Sequence, residues 1–136
     1  IRHCFDRVRP MAGRVVFALE VQGGEAFLQA DPDQLEQVFI NLFTNAVDAM
    51  QEGGELSVLL LVSPTHVQVR VTDTGTGLPA EALEKIFEPF FTTKERGTGL
   101  GLAIVFNIIK KHGGDITAVS EEGRGATFVI TLPRAR

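Results

Sequence analysis

The sequence predicts an α+β domain, a two-layer sandwich in which a mixed, largely antiparallel sheet carries about three helices on one face. Three observations favour this class. Several stretches alternate apolar and polar residues, as half-buried strands do, and longer stretches repeat apolar residues every three or four positions, as amphipathic helices do. The two kinds of stretch are interleaved along 136 residues, a length that suits one domain with its own core.

Alternation and turn residues place the elements that begin the chain. Residues 1–12 show no clear period, so we expect the tail of a preceding helix or linker, with the domain proper at 13–136. Residues 15–21 alternate as a strand, and a turn at Gly23-Gly24 leads to a short predicted strand at Ala26–Gln29.

A long amphipathic helix is predicted over Pro32–Gln51. Asp31 is a good N-cap, proline suits the first helical position, and Gly53-Gly54 ends the helix. One side is apolar and would pack on the sheet. It comprises Leu35, Val38, Phe39, Leu42, Ala46 and Val47.

The other side of this helix carries a polar stripe of Asn41, Asn45 and Asp48, spaced by four and three residues. Asparagine is a poor helix former, so two on one face are either solvated or kept for a ligand. The amide oxygen of Asn45 is a hard, neutral ligand that would suit Mg²⁺. The helix alone leaves both interpretations open.

Turn residues divide the second half of the chain into regular elements and one loop. The predicted elements are strands at 55–63 and 66–73 joined by a turn at 64–65, a short helix at 80–86, a mobile loop at 87–99, a helix at 100–112 and strands at 115–120 and 126–132. A glycine pair, Gly113-Gly114, caps the second long helix.

Asp73 continues the apolar face of its predicted strand, in parity with Val67, Val69 and Val71. A buried carboxylate is costly unless a donor satisfies it, and the exocyclic amine of a purine is one such donor. Gly75 and Gly77 follow and would let the backbone approach a flat ligand. The alternative is a turn closed by a capping aspartate.

A second glycine motif runs directly into a helix, where backbone N–H groups and the positive helix end can hold phosphate oxygens. It comprises Gly97, Thr98, Gly99, Leu100 and Gly101. It is neither a dinucleotide-binding fingerprint nor a P-loop. Between the two motifs, Phe87, Phe90 and Phe91 could pin the loop to the core, and Lys94 could reach phosphates or simply be solvated.

In order and spacing, these segments resemble the ATP-binding catalytic domain of sensor histidine kinases, in the gyrase, heat-shock-protein-90, histidine-kinase and mismatch-repair ATPase superfamily. The resemblance spans about 31–133 and implies the Bergerat-type ATP-binding fold. Its N box, first glycine box, F box and second glycine box would be 31–50, 73–77, 87–90 and 97–101. The Thr92-Thr93-Lys94 and His112-Gly113-Gly114 details are similar to the nitrogen-regulation and sporulation type of kinase.

The resemblance also implies residue roles. Asn45 would coordinate Mg²⁺ with Asn41 beside it, and Asp73 would accept from the adenine amine. Residues 78–98 would form the ATP lid. The remaining nucleotide contacts would come from Asp48, Gly75, Gly77, Lys94, Gly97, Thr98, Gly99, Leu100, Gly101 and, through its hydroxyl, Thr127.

Asn41 stands where the ATP-hydrolysing branches of the superfamily have a glutamate base, so the resemblance implies phosphoryl transfer over hydrolysis. The acceptor would be a histidine on a separate helical domain of the same parent protein, followed by a response-regulator aspartate. Two alternatives stay open: a serine kinase of anti-sigma or mitochondrial type, and a nucleotide-sensing module that transfers nothing.

Composition limits the partners and the setting. Thirteen basic and seventeen acidic residues give a net charge of −4 with no basic run, so no nucleic-acid surface is expected. The single Cys4 has no disulfide partner, which fits a cytosolic setting. No apolar run is long enough to span a bilayer, and the chain begins at Ile1. We therefore expect a monomeric, cytoplasmic piece of a larger protein that could be membrane-anchored elsewhere.

Overall fold

A computed structural model describes residues 1–9, 14–24, 28–83, 85–88, 101–121 and 123–134. Within them the elements run in the order α1 (Arg2–Val8), β1 (Val15–Gln22), α2 (Pro32–Asp48), β2 (Gly54–Val62), β3 (His66–Asp73), α3 (Ala80–Leu83), α4 (Gly101–Lys111), β4 (Asp115–Glu121) and β5 (Gly125–Pro133). The five strands form one sheet in the order β1-β2-β3-β5-β4. Strand β1 runs parallel to β2, and the other pairs are antiparallel. The predicted α+β sandwich is therefore confirmed.

Alternation along the strands builds the core on one face of the sheet. Every second residue of β3 is buried, as is every second residue of β5 from Ala126 onward. Helices α2 and α4 pack their apolar sides on that face and on each other. Phe43 of α2 is completely buried and stacks against Phe39, with ring centroids 6.0 Å apart.

Helix α2 begins as predicted. The side chain of Asp31 accepts from the backbone N–H of Asp33 at 2.9 Å and of Gln34 at 3.4 Å. Its last helical residue is Asp48, three residues before the predicted end, because Ala49 and Met50 close the last turn and Gly53 follows with φ +101°. The C-terminal part of the polar stripe therefore lies at the end of the helix.

The predicted short strand at Ala26–Gln29 is wrong over Leu28 and Gln29, which are not in a strand; Ala26 and Phe27 lie outside the described residues. Gly23 and Gly24 both have positive φ and end β1. Leu28 packs its side chain against the core on the way to α2.

Helix α1 covers a part of the chain for which only a tail was expected. Cys4, Phe5 and Val8 are buried, and the Phe5 ring lies 4.9 Å from that of Phe43 and 5.1 Å from that of Phe17. The first helix thus packs on α2 and β1. The boundary at residue 12 stays a prediction.

His112 joins the end of α4 to the start of α2. Its Nε2 accepts from the backbone N–H of Asp31 at 3.1 Å, and its Nδ1 lies 2.7 Å from the carbonyl oxygen of Ile108. Because a carbonyl oxygen only accepts, Nδ1 carries the hydrogen and the ring is the neutral Nδ1–H tautomer. The ring therefore links the last turn of α4 to the N-terminus of α2.

Replacing His112 by alanine is expected to lower the free energy of unfolding by about 1–2 kcal/mol, since both hydrogen bonds are lost and the Asp31 N–H keeps no protein acceptor there. Urea unfolding followed by circular dichroism measures the change. Lys111→Ala, an exposed change on the same helix end, is the control. Equal midpoints for the two variants would show that the histidine link contributes nothing.

Candidate functional site

Asp73 ends β3 with its carboxylate on the core side of the sheet. Its residue is only 6% exposed, as the alternation predicted. One carboxylate oxygen accepts from the Gly75 N–H at 2.9 Å. Burial raises the pKa of Asp73, and hydrogen bonds from the backbone N–H groups of Gly75 and Ala126 oppose that rise without cancelling it. A ligand donor at this carboxylate would therefore meet a poorly solvated acceptor.

The loop after Asp73 lies against the C-terminal turn of α2. The Thr76 N–H donates to the carbonyl of Ala49 at 3.2 Å. A Cβ at Gly75 would overlap that same carbonyl oxygen, so only glycine allows the two segments to approach so closely. The structure thus brings the first glycine motif next to the helix turn that carries Asn45 and Asp48.

The same loop also lies against the turn between β4 and β5. The Gly123 N–H donates to the carbonyl of Thr76 at 2.7 Å, and the Leu78 N–H donates to the hydroxyl of Ser120 at 2.6 Å. Gly77 has φ +69°, and a Cβ there would overlap the carbonyl oxygen of Glu121. Two supports, α2 and the β4–β5 turn, therefore fix residues 74–78.

The polar stripe of α2 ends one residue before Ala49, which contacts this loop. Asn41 and Asn45 are half-buried, and Asp48 is exposed. They share one side of the helix, while Leu42, Phe43 and their apolar neighbours take the other. The predicted division of α2 into a core side and a polar side is confirmed.

Phe87 anchors the segment that follows α3. Its ring centroid lies 5.6 Å from that of Phe106 on α4 and 6.4 Å from that of Phe128 on β5. The predicted pinning of this segment to the core is confirmed for Phe87. Phe90 and Phe91 lie outside the described residues.

The second glycine motif is described only at its last residue. Gly101 is the first residue of α4, and a Cβ there would meet nothing within 4 Å. Lys94, Gly97, Thr98, Gly99 and Leu100 lie outside the described residues. Helix α4 therefore begins at the last residue of this motif.

A match to a protein-family model identifies the family of this chain. The model for the Histidine kinase-, DNA gyrase B-, and HSP90-like ATPase matches residues 30–136. The chain belongs to this family.

Relatives of this ATPase family share much of the chain. The sensor histidine kinase ZraS of Escherichia coli K12 is 51% identical over 106 residues, which are 78% of this chain and 23% of ZraS. The chain thus spans about a quarter of the length of that relative.

No helix among the described residues is long and apolar enough to cross a membrane.

Solved structures of histidine kinases have the same fold. The catalytic domain of ThkA superimposes with a TM-score of 0.85 and 36% identity, over 99% of this chain and 92% of that one. ThkA in complex with the response regulator TrrA has a TM-score of 0.80 and 33% identity, over 98% of this chain and 39% of that one. Full-length ShkA in complex with AMPPNP has a TM-score of 0.88 and 32% identity, over 98% of this chain and 29% of that one.

The hydroxyl of Thr127 faces away from the Asp73 carboxylate. It lies 3.1 Å from the hydroxyl of Thr72, the cross-strand partner of Thr127, on the sheet face opposite that carboxylate. A cavity of about 370 Å³ lies at this end of the sheet, and its lining includes Asp73, Ala126 and Thr127. Ala126 holds the inward position, and the contact of the Thr127 hydroxyl with the adenine pocket stays a prediction.

Two residues that contact the Asp73 loop were not identified by the sequence analysis. Ala126 contributes its backbone N–H to Asp73, and Ser120 accepts from Leu78. Counting alternate positions back from buried Phe128 would have placed Ala126 inward. Nothing in the local pattern around Ser120 points to a partner more than 40 residues earlier in the chain.

Proposed function

We propose that this chain is the ATP-binding catalytic domain of a sensor histidine kinase. It binds MgATP and transfers the γ-phosphoryl group to a histidine on a separate helical domain of the same parent protein, for relay to a response-regulator aspartate. The observation that carries the proposal is the buried Asp73, held by Gly75 beside the polar end of α2. In this function it is a monomeric, cytoplasmic unit.

The named relatives support this assignment. ShkA is in complex with AMPPNP, and ThkA is in complex with a response regulator. In this proposal the adenine amine donates to Asp73, the stripe of Asn41, Asn45 and Asp48 faces the phosphates, and Gly75 and Gly77 line the base. Lys94, Gly97, Thr98, Gly99, Leu100 and Gly101 complete the phosphate side.

A Mg²⁺ ion fits the donors that the described residues offer. Among them there is no group of three His, Cys, Asp or Glu side chains placed to hold a metal. A cation shared with nucleotide phosphates needs few protein ligands and keeps several waters, and the half-buried amide of Asn45 is such a ligand. The ion would neutralise charge on the phosphates, while the chain positions the nucleotide.

The phosphoacceptor comes from outside this chain. Of its three histidines, His112 has both ring nitrogens engaged, and His66 lies at the β2–β3 turn with its Nδ1 2.8 Å from the hydroxyl of Thr65. His3 lies on α1 near Glu36, at 3.4 Å. During transfer, a nitrogen of the acceptor histidine forms a bond to the γ-phosphorus, the bond from that phosphorus to the bridging oxygen breaks, and ADP leaves.

Mixing the chain with the helical acceptor domain of its parent protein and γ-labelled ATP tests the proposal. We expect acid-labile, alkali-stable label on a histidine of that domain, as expected for phosphohistidine. Asn45→Ala should abolish labelling, whereas Asn107→Ala, an exposed asparagine on α4, should leave it unchanged. Label on serine would instead favour the serine-kinase alternative, and ADP binding without label would favour a nucleotide-sensing module.

A further inference from the structure

We infer that Ser120 is a positioning residue that holds the nucleotide-binding loop, residues 73–78, in its binding conformation without touching the nucleotide. The inference rests on the proposed function. It concerns a residue of β4 that lies far from the glycine motifs in sequence, and it is carried by the contacts that this side chain makes with two separate segments.

Both functions of the Ser120 hydroxyl are in use. It accepts from the Leu78 N–H at 2.6 Å and donates to the carbonyl of Gly125 at 3.0 Å. The residue occupies the same face of β4 as buried Ile116, and its backbone partner across the sheet is Ala126. One side chain therefore ties the loop to the turn that begins β5.

The tie continues to the Asp73 carboxylate. Gly125 packs so closely on the carbonyl of Asp73 that a Cβ there would overlap it. The next residue, Ala126, contributes the N–H that helps hold the Asp73 side chain. Leu78, Ser120, Gly125 and Asp73 thus form a closed ring of contacts around residues 74–77.

Ser120 ties the loop to β4 through its side chain. Within the loop, the side chain of Thr74 accepts from the Glu55 N–H and that of Asp73 from the Gly75 N–H. Two further hydrogen bonds, from Thr76 to Ala49 and from Gly123 to Thr76, join backbone groups on both sides. A substitution at Ser120 removes its bonds and leaves those two in place. The Leu78 N–H would then lose its acceptor, and the loop could relax away from the position that Gly77, with φ +69°, requires.

This role predicts a selective loss of adenine recognition. Calorimetric titration of the chain with ADP and with purine riboside 5′-diphosphate, which lacks the exocyclic amine, separates recognition of that amine from binding of the rest of the nucleotide. Ser120→Ala should weaken ADP binding by about 3- to 10-fold, the equivalent of one neutral hydrogen bond, and weaken binding of the purine nucleotide less. Ser120→Thr, which keeps a hydroxyl, should bind ADP within about 2-fold of the parent.

Shape-matched variants guard against a simple folding defect. Ser120→Thr and Ser120→Val have the same volume and both suit a strand, so a difference between them isolates the hydroxyl even if Ser120→Ala does not fold. Equal loss for both nucleotides, or equal ADP affinity of the Thr and Val variants, would overturn the inference. If the parent chain binds neither nucleotide, the proposed function fails as well; if it binds ADP and the variants bind equally, only this inference fails.

Discussion

Asp73→Asn is expected to weaken ADP binding by about 10- to 100-fold. A hydrogen bond between the buried carboxylate and the adenine amine is charge-assisted and contributes roughly 1.5–3 kcal/mol. The substituted amide keeps one acceptor oxygen, but its NH₂ group would face the donor amine in place of the second oxygen. Calorimetry with ADP and with a non-hydrolysable ATP analogue measures the loss, and the method suits a chain without Trp or Tyr.

The same substitution is expected to stabilise the free protein near neutral pH. The folded-state pKa of Asp73 is raised above its unfolded value by burial, so the folded state retains the proton to higher pH. The contribution of this group is therefore most favourable below the unfolded pKa and is lost as the pH rises through the folded pKa. The asparagine variant has no such group to ionise.

Urea unfolding of parent and variant from pH 4 to pH 8 tests the direction of this pH dependence. The stability of Asp73→Asn relative to the parent should grow as the pH rises from the low end of that range and then level off. Asn107→Ala, an exposed change on α4 that removes no ionisable group, is the control. A difference that stayed constant, or one that shrank with rising pH, would contradict the raised pKa.

Gly125→Ala is expected to be the most destabilising single-methyl change in the β4–β5 turn. Gly125 has φ +97°, and its new Cβ would overlap the carbonyl of Asp73. Left-handed strain costs about 1–2 kcal/mol and overpacking a further 1–3 kcal/mol, so a loss of about 2–5 kcal/mol is expected. Nucleotide affinity should fall with it, since the overlap displaces the strand end that carries the carboxylate.

Gly123→Ala is the matched control. Gly123 has φ +85° in the same turn, but a Cβ there would meet nothing within 4 Å, so only the backbone strain of about 1–2 kcal/mol remains. The difference in unfolding free energy between the two variants measures the cost of the close approach alone. Two variants of equal stability would show that the turn yields without cost and does not support the loop.

Features whose cause is local were predictable from the sequence. The Asp31 cap, the β2–β3 hairpin and the inward position of Asp73 all follow from residues a few positions apart. Helix α1 was less predictable, because its place in the fold depends on the packing of Phe5 on Phe43, a residue distant in the sequence. The same limit applies to Ser120, whose partner Leu78 lies more than 40 residues earlier in the chain.

The parallel pairing of β1 with β2 bears on how this domain should be expressed. The family match begins at residue 30, yet Val15–Gln22 covers the full side of β2 from Gly54 to Leu61. A fragment cut at residue 30 would leave the apolar run Val58–Val62 on an unprotected edge, which is a template for intermolecular strand pairing. Strand β1 therefore serves solubility: it shields the apolar run of β2 from intermolecular pairing.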